Sequence, residues 1–118
     1  MTTLYEQIGA DKIQAVLTRF YDRAFEDLMI SHFFLGKDKQ HLIEQQVAFV
    51  TGILGGPRIY RGKPLRIVHQ DMAIRPPHFG RRQVIMREVL DEMQVEKSLA
   101  DNWLKLEEEF RPVIQKAR

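Results

Sequence analysis

Three polar residues interrupt helical patterns that are otherwise apolar: Tyr21, Gln46 and His69. Gln46 lies one helical turn after Leu42 and one turn before Val50, and His69 lies in a short segment between two proline breaks. A buried phenol, amide or imidazole needs a hydrogen-bond partner. Three such groups in separate segments could therefore converge on one ligand.

The residue types limit what that ligand is. The chain has no cysteine, which excludes thiolate zinc sites, iron–sulfur ligation and cysteine nucleophiles. Its four histidines are scattered without the spacing of a zinc site. Haem fits best among metal groups, because one neutral imidazole suffices as its protein ligand. From the residues alone, a plainer interpretation stays open: a core tyrosine, an amide bonded to backbone and a partly exposed histidine.

Helical spacing of apolar residues predicts an all-α protein with four substantial helices and short connectors. Thr3 and Glu6 have the spacing of a capping box, which predicts a short first helix. Asp11 is predicted to cap the second helix, and Ser98 with Asp101 the last one. The predicted inner faces are Ile13, Val16, Leu17, Phe20, Tyr21, Ala24 and Phe25; Leu42, Ile43, Val47, Val50 and Ile53; Phe79, Arg82, Met86, Val89, Leu90 and Met93; and Leu99, Trp103, Leu106, Phe110, Val113 and Ile114.

Glycine and proline divide these helices. A helix predicted from about residue 39 to 54 ends at Gly55-Gly56-Pro57, and a loop follows as far as Pro64. Pro64 opens a short helix that carries His69, and Pro76-Pro77 opens a longer one. A further short turn of helix is expected near 31–34.

Charge and length indicate a soluble protein of one domain, residues 1–118. The 18 basic and 16 acidic residues are interspersed, and the run Glu107–Glu109 and the pair Arg81-Arg82 are explained by solvated helical faces as well as by a nucleic-acid patch. No apolar run reaches the length of a membrane span, and the first residues lack the pattern of a secretory signal. We therefore expect a cytoplasmic protein without nucleic-acid or membrane partners.

Several motifs follow one another along the chain, and the longest runs from Gly55 to His69: it holds two glycines, a tyrosine, a further glycine, a proline and then the histidine. The other stretches are Leu4–Gly9, Arg19–Arg23, His32–Phe34, Ile74 and His78-Phe79. In their order and spacing these motifs resemble the truncated haemoglobins, the small two-over-two helical globins, and among them the first group. The resemblance covers nearly the whole chain and implies a two-over-two helical sandwich that binds haem b.

The resemblance also assigns residues to this haem. His69 matches the proximal histidine that binds the iron, and Phe34 matches the phenylalanine that packs on the haem face. Tyr21 and Gln46 match the distal pair that donates hydrogen bonds to the bound ligand, and Leu42 matches an apolar distal residue. Tyr60, Lys63, Arg66 and Lys37 are candidates for the haem propionates, with ordinary surface charge as the alternative for the three cations.

Two positions stay open within the resemblance. Arg82 lies thirteen residues after His69, where the family commonly has an apolar or aromatic residue of the haem pocket. Its guanidinium either reaches solvent while its stem packs, bonds a propionate, or alters the distal pocket. The second is whether His41 acts as a sixth iron ligand. It is on the helix of Leu42 and Gln46, about 100° of rotation away from their face.

The function implied is binding of O2, NO and CO at ferrous haem. It serves either oxygen binding and sensing or nitric oxide dioxygenation to nitrate, an enzymatic activity that needs a separate reductase. The contrasting hypothesis is a haem-free all-α interaction module, which gives no reason for Tyr21 and Gln46. We expect a monomer or a weak homo-oligomer.

Overall fold

The structure, a computed structural model, describes residues 2–116. This part of the chain is helical throughout, without a strand, and none of its helices is long and apolar enough to cross a membrane. The α-helices are α1 (Leu4–Ile8), α2 (Ala10–Ala24), α3 (Lys39–Ile53), α4 (Leu65–His69), α5 (Pro76–Glu92), α6 (Lys97–Glu108) and α7 (Arg111–Ile114). A 3-10 helix, Ser31–Phe34, lies between α2 and α3. The all-α class and the four long helices are confirmed.

The long helices form two layers. Helix α2 packs against α3 and also against α5, and α5 packs against α6. This arrangement is the predicted two-over-two sandwich. The predicted inner face of α2 is confirmed, since all its residues except the half-buried Phe25 are buried. On α5 the prediction missed Ile85, which is fully buried.

The start of the chain confirms one predicted cap and corrects another. The Thr3 hydroxyl accepts a hydrogen bond from the Glu6 backbone N–H at 3.1 Å, and the Glu6 carboxylate accepts one from the Thr3 backbone N–H at 2.9 Å. Gly9, with φ of +91°, ends α1 and is itself the N-cap of α2. The prediction for Asp11 is therefore wrong. Because glycine adopts this backbone conformation easily, α2 begins at once and Asp11 lies in its first turn.

The predicted cap of the last helix is wrong as well. Helix α6 begins at Lys97, one residue before Ser98, and Glu96 is its N-cap residue. The Ser98 hydroxyl donates to the Glu96 carboxylate at 2.6 Å instead of accepting from a backbone N–H. Asp101 accepts from Lys97 at 3.0 Å and pairs with Arg87, so its carboxylate is held by side chains.

The apolar stripe after Ser98 does not follow one continuous helix. Helix α6 ends at Glu108, and α7 begins at Arg111. Pro112 has no N–H to donate to the Glu108 carbonyl, which breaks the helical ladder at this point. Val113 consequently stays 42% exposed, whereas Trp103 on α6 is fully buried.

Candidate functional site

A cavity of about 430 Å³ lies beside the core, between the 3-10 helix, α2, α3, α4 and α5. The volume falls in the range of roughly 300–1,000 Å³ that is usual for sites of organic ligands. Most lining side chains are apolar or aromatic. Tyr21, Gln46 and His69 all line this cavity, as do Phe34, Leu42, Tyr60 and Lys63. Arg66 is exposed and is not among the lining residues.

His69 is the last residue of α4, and its ring is held by the backbone of the same helix. Its Nδ1 lies 2.7 Å from the carbonyl oxygen of Leu65. A carbonyl only accepts, so Nδ1 carries the proton and Nε2 keeps a free lone pair. Burial lowers the pKa of His69, and the charges of Arg82 and Lys116 lower it further, although the bond to Leu65 opposes them. The neutral imidazole is the form that binds metals.

The end of the described chain supports the His69 segment. The Lys116 ammonium donates to the carbonyl oxygens of His69 at 3.3 Å and Gln70 at 3.0 Å. The Lys116 backbone N–H donates to the Ile74 carbonyl at 2.7 Å. Cations at the C-terminal end of a helix complement its free carbonyls. Helix α4, with only five residues, is thereby held in place by the segment after α7.

Tyr21 presents a protonated phenol to the cavity. Its ring is 7% exposed and makes edge contacts with Phe20 at 5.0 Å and Phe34 at 5.9 Å between centroids. Burial raises the pKa of Tyr21 to about 12; the charge of Arg82 opposes this, and that of Glu107 adds to it. The hydroxyl makes no hydrogen bond to another residue within 2–116, so its proton is available to a ligand.

Gln46 and Leu42 bring α3 to the cavity. Both side chains are half-buried and line it one helical turn apart. Phe34, from the 3-10 helix, stacks on Phe25 with centroids 4.8 Å apart and planes at 14°. This stack extends the aromatic wall beside Tyr21.

The loop before α4 forms the mouth of the cavity. The Tyr60 hydroxyl donates to the Lys63 carbonyl at 2.7 Å, and the Tyr60 ring meets Phe49 edge-on at 5.4 Å. Lys63 and Lys37 are exposed and line the opening. Two exposed cations therefore lie beside the apolar interior of the cavity.

An ion pair in the cavity wall was missed by the sequence analysis. Glu107 was expected on a solvated face, yet it is 6% exposed and accepts from Arg82 at 2.5 and 3.1 Å and from the Trp103 indole at 3.0 Å. Both charged residues line the cavity. The spacing of the sequence could have indicated this burial, because Glu107 follows Trp103 by one helical turn on the apolar stripe of α6.

The remaining histidines have other surroundings. His32 is exposed. The His78 Nδ1 accepts from the Arg75 backbone N–H at 2.9 Å, so this side chain caps the start of α5 at the edge of the cavity. His41 is exposed at the cavity edge, with its Nε2 3.4 Å from the Gln45 amide nitrogen.

Comparison with known proteins identifies the family. A family model of bacterial-like globins matches residues 3–116. The chain is 38% identical to a group 1 truncated hemoglobin of Mycolicibacterium paratuberculosis over 66% of this chain and 58% of that protein. It thus spans less than two-thirds of that relative. It is 31% identical to a group 1 truncated hemoglobin of Synechocystis over 84% of each.

A solved structure agrees over a longer stretch. The truncated hemoglobin of Tetrahymena pyriformis in its Fe(III) form has a TM-score of 0.93 and 29% identity, and the match covers 98% of this chain and 100% of that one. Truncated haemoglobins bind haem and, through it, diatomic gases such as O2. The chain therefore belongs to the bacterial-like globin family and resembles the group 1 truncated haemoglobins within it.

Proposed function

We propose that this protein binds haem b through His69 and uses it for reversible binding of O2, with CO and NO as competing ligands. The observation that carries the proposal is the His69 ring, which lines the cavity: its Nδ1–H donates to the Leu65 carbonyl at 2.7 Å, and its Nε2 makes no hydrogen bond to another residue between 2 and 116. Haem iron supplies a coordination position for a diatomic gas, and one such imidazole suffices to hold it.

The cavity suits a flat apolar group with an acidic edge. Its walls include Phe34, Leu42 and Phe79, which would give dispersion contacts to a macrocycle. Lys37 and Lys63 at the mouth would pair with propionates, where solvent reduces each pair to about 0–1 kcal/mol. Arg66 was another candidate for the propionates. Its side chain is exposed and outside the cavity lining, so solvent would screen its charge. Tyr60 acts by holding the Lys63 backbone.

Tyr21 and Gln46 are the proposed donors to the gas. Both line the cavity, and neither side chain makes a hydrogen bond to another described residue. The phenol stays protonated, since burial raises its pKa to about 12. Donors already oriented in an apolar site stabilise a ligand that gains negative charge. Each hydrogen bond would contribute on the order of 1–3 kcal/mol and slow the release of O2.

The test is an absorption spectrum of the haem-reconstituted protein in its ferric, reduced and CO-bound forms. His69→Gly is expected to alter the Soret band, and added imidazole to restore it. His32→Gly, a change at an exposed histidine outside the cavity lining, serves as control and should leave the spectra unchanged. Haem binding no stronger than to an unrelated carrier protein, or spectra of His69→Gly identical to wild type, would overturn the proposal and favour the haem-free interaction module.

Nitric oxide dioxygenation stays a prediction of the family resemblance. The same three residues, Tyr21, Gln46 and His69, would serve a gas carrier and such an enzyme. Steady consumption of NO by the oxygenated protein with an added reductant would indicate the enzyme. A single turnover that stops at the ferric protein would indicate a carrier.

A further inference from the structure

Arg82 places a positive charge in a wall that is otherwise largely apolar. Its side chain is 22% exposed and lines the cavity from α5. The guanidinium carbon lies 4.8 Å from the centre of the Phe20 ring, and Phe20 in turn contacts Tyr21 edge-on at 5.0 Å. The guanidinium therefore acts on the same space as the proposed donors.

The guanidinium has donors that the protein does not use. Arginine carries five N–H groups. In Arg82, Nη1 donates to Gln83 at 2.6 Å and to Glu107 at 2.5 Å, and Nη2 donates once more to Glu107 at 3.1 Å. The Nε–H and the second Nη2 proton make no hydrogen bond to another residue between 2 and 116.

The counter-ion is held in place. Both carboxylate oxygens of Glu107 accept hydrogen bonds from Arg82, and the Trp103 indole N–H donates a third at 3.0 Å. These three hydrogen bonds and the burial of Glu107 hold its carboxylate in one position beside Arg82. Arg82 thus keeps its charge, its position and two free donors. The negative charge of Glu107 still opposes an incoming anion.

We propose that Arg82 selects small anions as ligands of the cavity, by donating its free N–H groups to them beside the haem. The inference rests on the proposed function, because the anion is held at the haem that His69 binds. Charge-assisted hydrogen bonds from a guanidinium are stronger than neutral ones, and screening by water is weak at a buried site. A neutral ligand of similar coordinating strength gains nothing from this charge.

The experiment compares azide, an anion, with imidazole, a neutral ligand, by spectroscopic titration of the ferric haem-loaded protein. Arg82→Met is expected to weaken azide binding by about tenfold or more, the effect of losing one charge-assisted hydrogen bond. Its imidazole affinity should stay within about threefold, since imidazole carries no charge for Arg82 to attract. Arg81→Met is the matched control, because Arg81 is the preceding residue, pairs with Asp27 at 2.8 Å and is not among the cavity-lining residues.

Two further variants cover the case in which Arg82→Met leaves Glu107 unpaired and the protein unfolds. Arg82→Met with Glu107→Gln removes both charges and should show the same selective loss of azide. Glu107→Gln alone removes the opposing charge and should strengthen azide binding. Thermal unfolding of each apoprotein establishes which variants fold.

An azide-to-imidazole affinity ratio that is the same in wild type and in every folded variant overturns this inference and leaves haem binding intact. A wild-type protein that takes up no haem overturns the proposed function, and this inference with it. The two failures are therefore distinct.

Discussion

The Tyr60 hydroxyl lies directly over Gly62, in the space that a Cβ atom at residue 62 would occupy. The nearest ring carbon, Cζ, would be 2.5 Å from such an atom, which is closer than real Cβ contacts come. From this position the hydroxyl donates to the Lys63 carbonyl at 2.7 Å. Because Gly62 has no Cβ atom, the Tyr60 side chain can occupy this space and hold the loop at the mouth of the cavity.

Gly62→Ala is expected to displace Tyr60 and break its bond to Lys63. The loss of this hydrogen bond should cost about 1 kcal/mol of stability. The dissociation rate of haem, measured by transfer to an acceptor protein, should rise because the loop at the mouth is loosened. Gly80→Ala is the control: among the described residues, no atom outside its own helix lies within 4 Å of a Cβ there. In a helix this change should stabilise the protein by roughly 0.5–1 kcal/mol. Equal haem dissociation from both variants would contradict the role of Tyr60.

Tyr21→Phe removes one of the two donors and keeps the ring contacts with Phe20 and Phe34. We expect the rate of O2 release to rise by about tenfold or more, the factor that corresponds to a loss of about 1–3 kcal/mol. Stopped-flow mixing of the oxygenated protein with CO measures this rate. Tyr5→Phe alters a half-buried tyrosine outside the cavity lining and should leave the rate unchanged. A wild-type release rate in Tyr21→Phe would show that the phenol does not contact the gas.

Ile85→Ala tests the packing of α5 in the core. Ile85 is fully buried, and truncation should lower the free energy of unfolding by about 2–5 kcal/mol. Val84, the preceding residue on the same helix, is 47% exposed. Val84→Ala should change stability by less than about 1 kcal/mol. Urea denaturation of the two apoproteins measures both values, and similar losses would contradict the buried position of Ile85.

The pair of Asp27 and Arg81 should contribute to acid sensitivity. The Asp27 carboxylate accepts hydrogen bonds from Arg81 at 2.9 Å and from the Met29 backbone N–H at 3.0 Å. The hydrogen bond from Arg81 is the main cause that holds the pKa of Asp27 below its ordinary value. A folded pKa below the unfolded one means that ionised Asp27 stabilises the fold. This stability is present above about pH 4 and is lost as the pH falls through the folded value.

Asp27→Asn should therefore reduce stability at neutral pH and flatten its decline below about pH 4. Thermal unfolding across that range measures the slope. Asp11→Asn, at an exposed carboxylate in the first turn of α2, should keep the wild-type slope. An unchanged slope in Asp27→Asn would remove this pair from the acid response.

Much of the fold was predictable because its signals are local. The stripe of α2 and the capping box of Thr3 and Glu6 both join residues within a few positions of one another. Where a local signal failed, tertiary or backbone effects intervened: Gly9 started α2 before Asp11, and the Glu96 carboxylate took the hydroxyl of Ser98. The polar breaks in apolar patterns suggested that Tyr21, Gln46 and His69 converge on one ligand, and the family resemblance assigned their roles.

By itself, the sequence determined the helices, their apolar faces and the family, because period, caps and breaks are properties of neighbouring residues. Only the tertiary structure decided how Arg82 is used. Its partner Glu107 is 25 residues away on another helix, and the two meet because α5 packs on α6. The same holds for the His69 segment, which the Lys116 ammonium joins from the end of the described chain. Such contacts depend on how helices pack, and the pattern along one helix does not specify them.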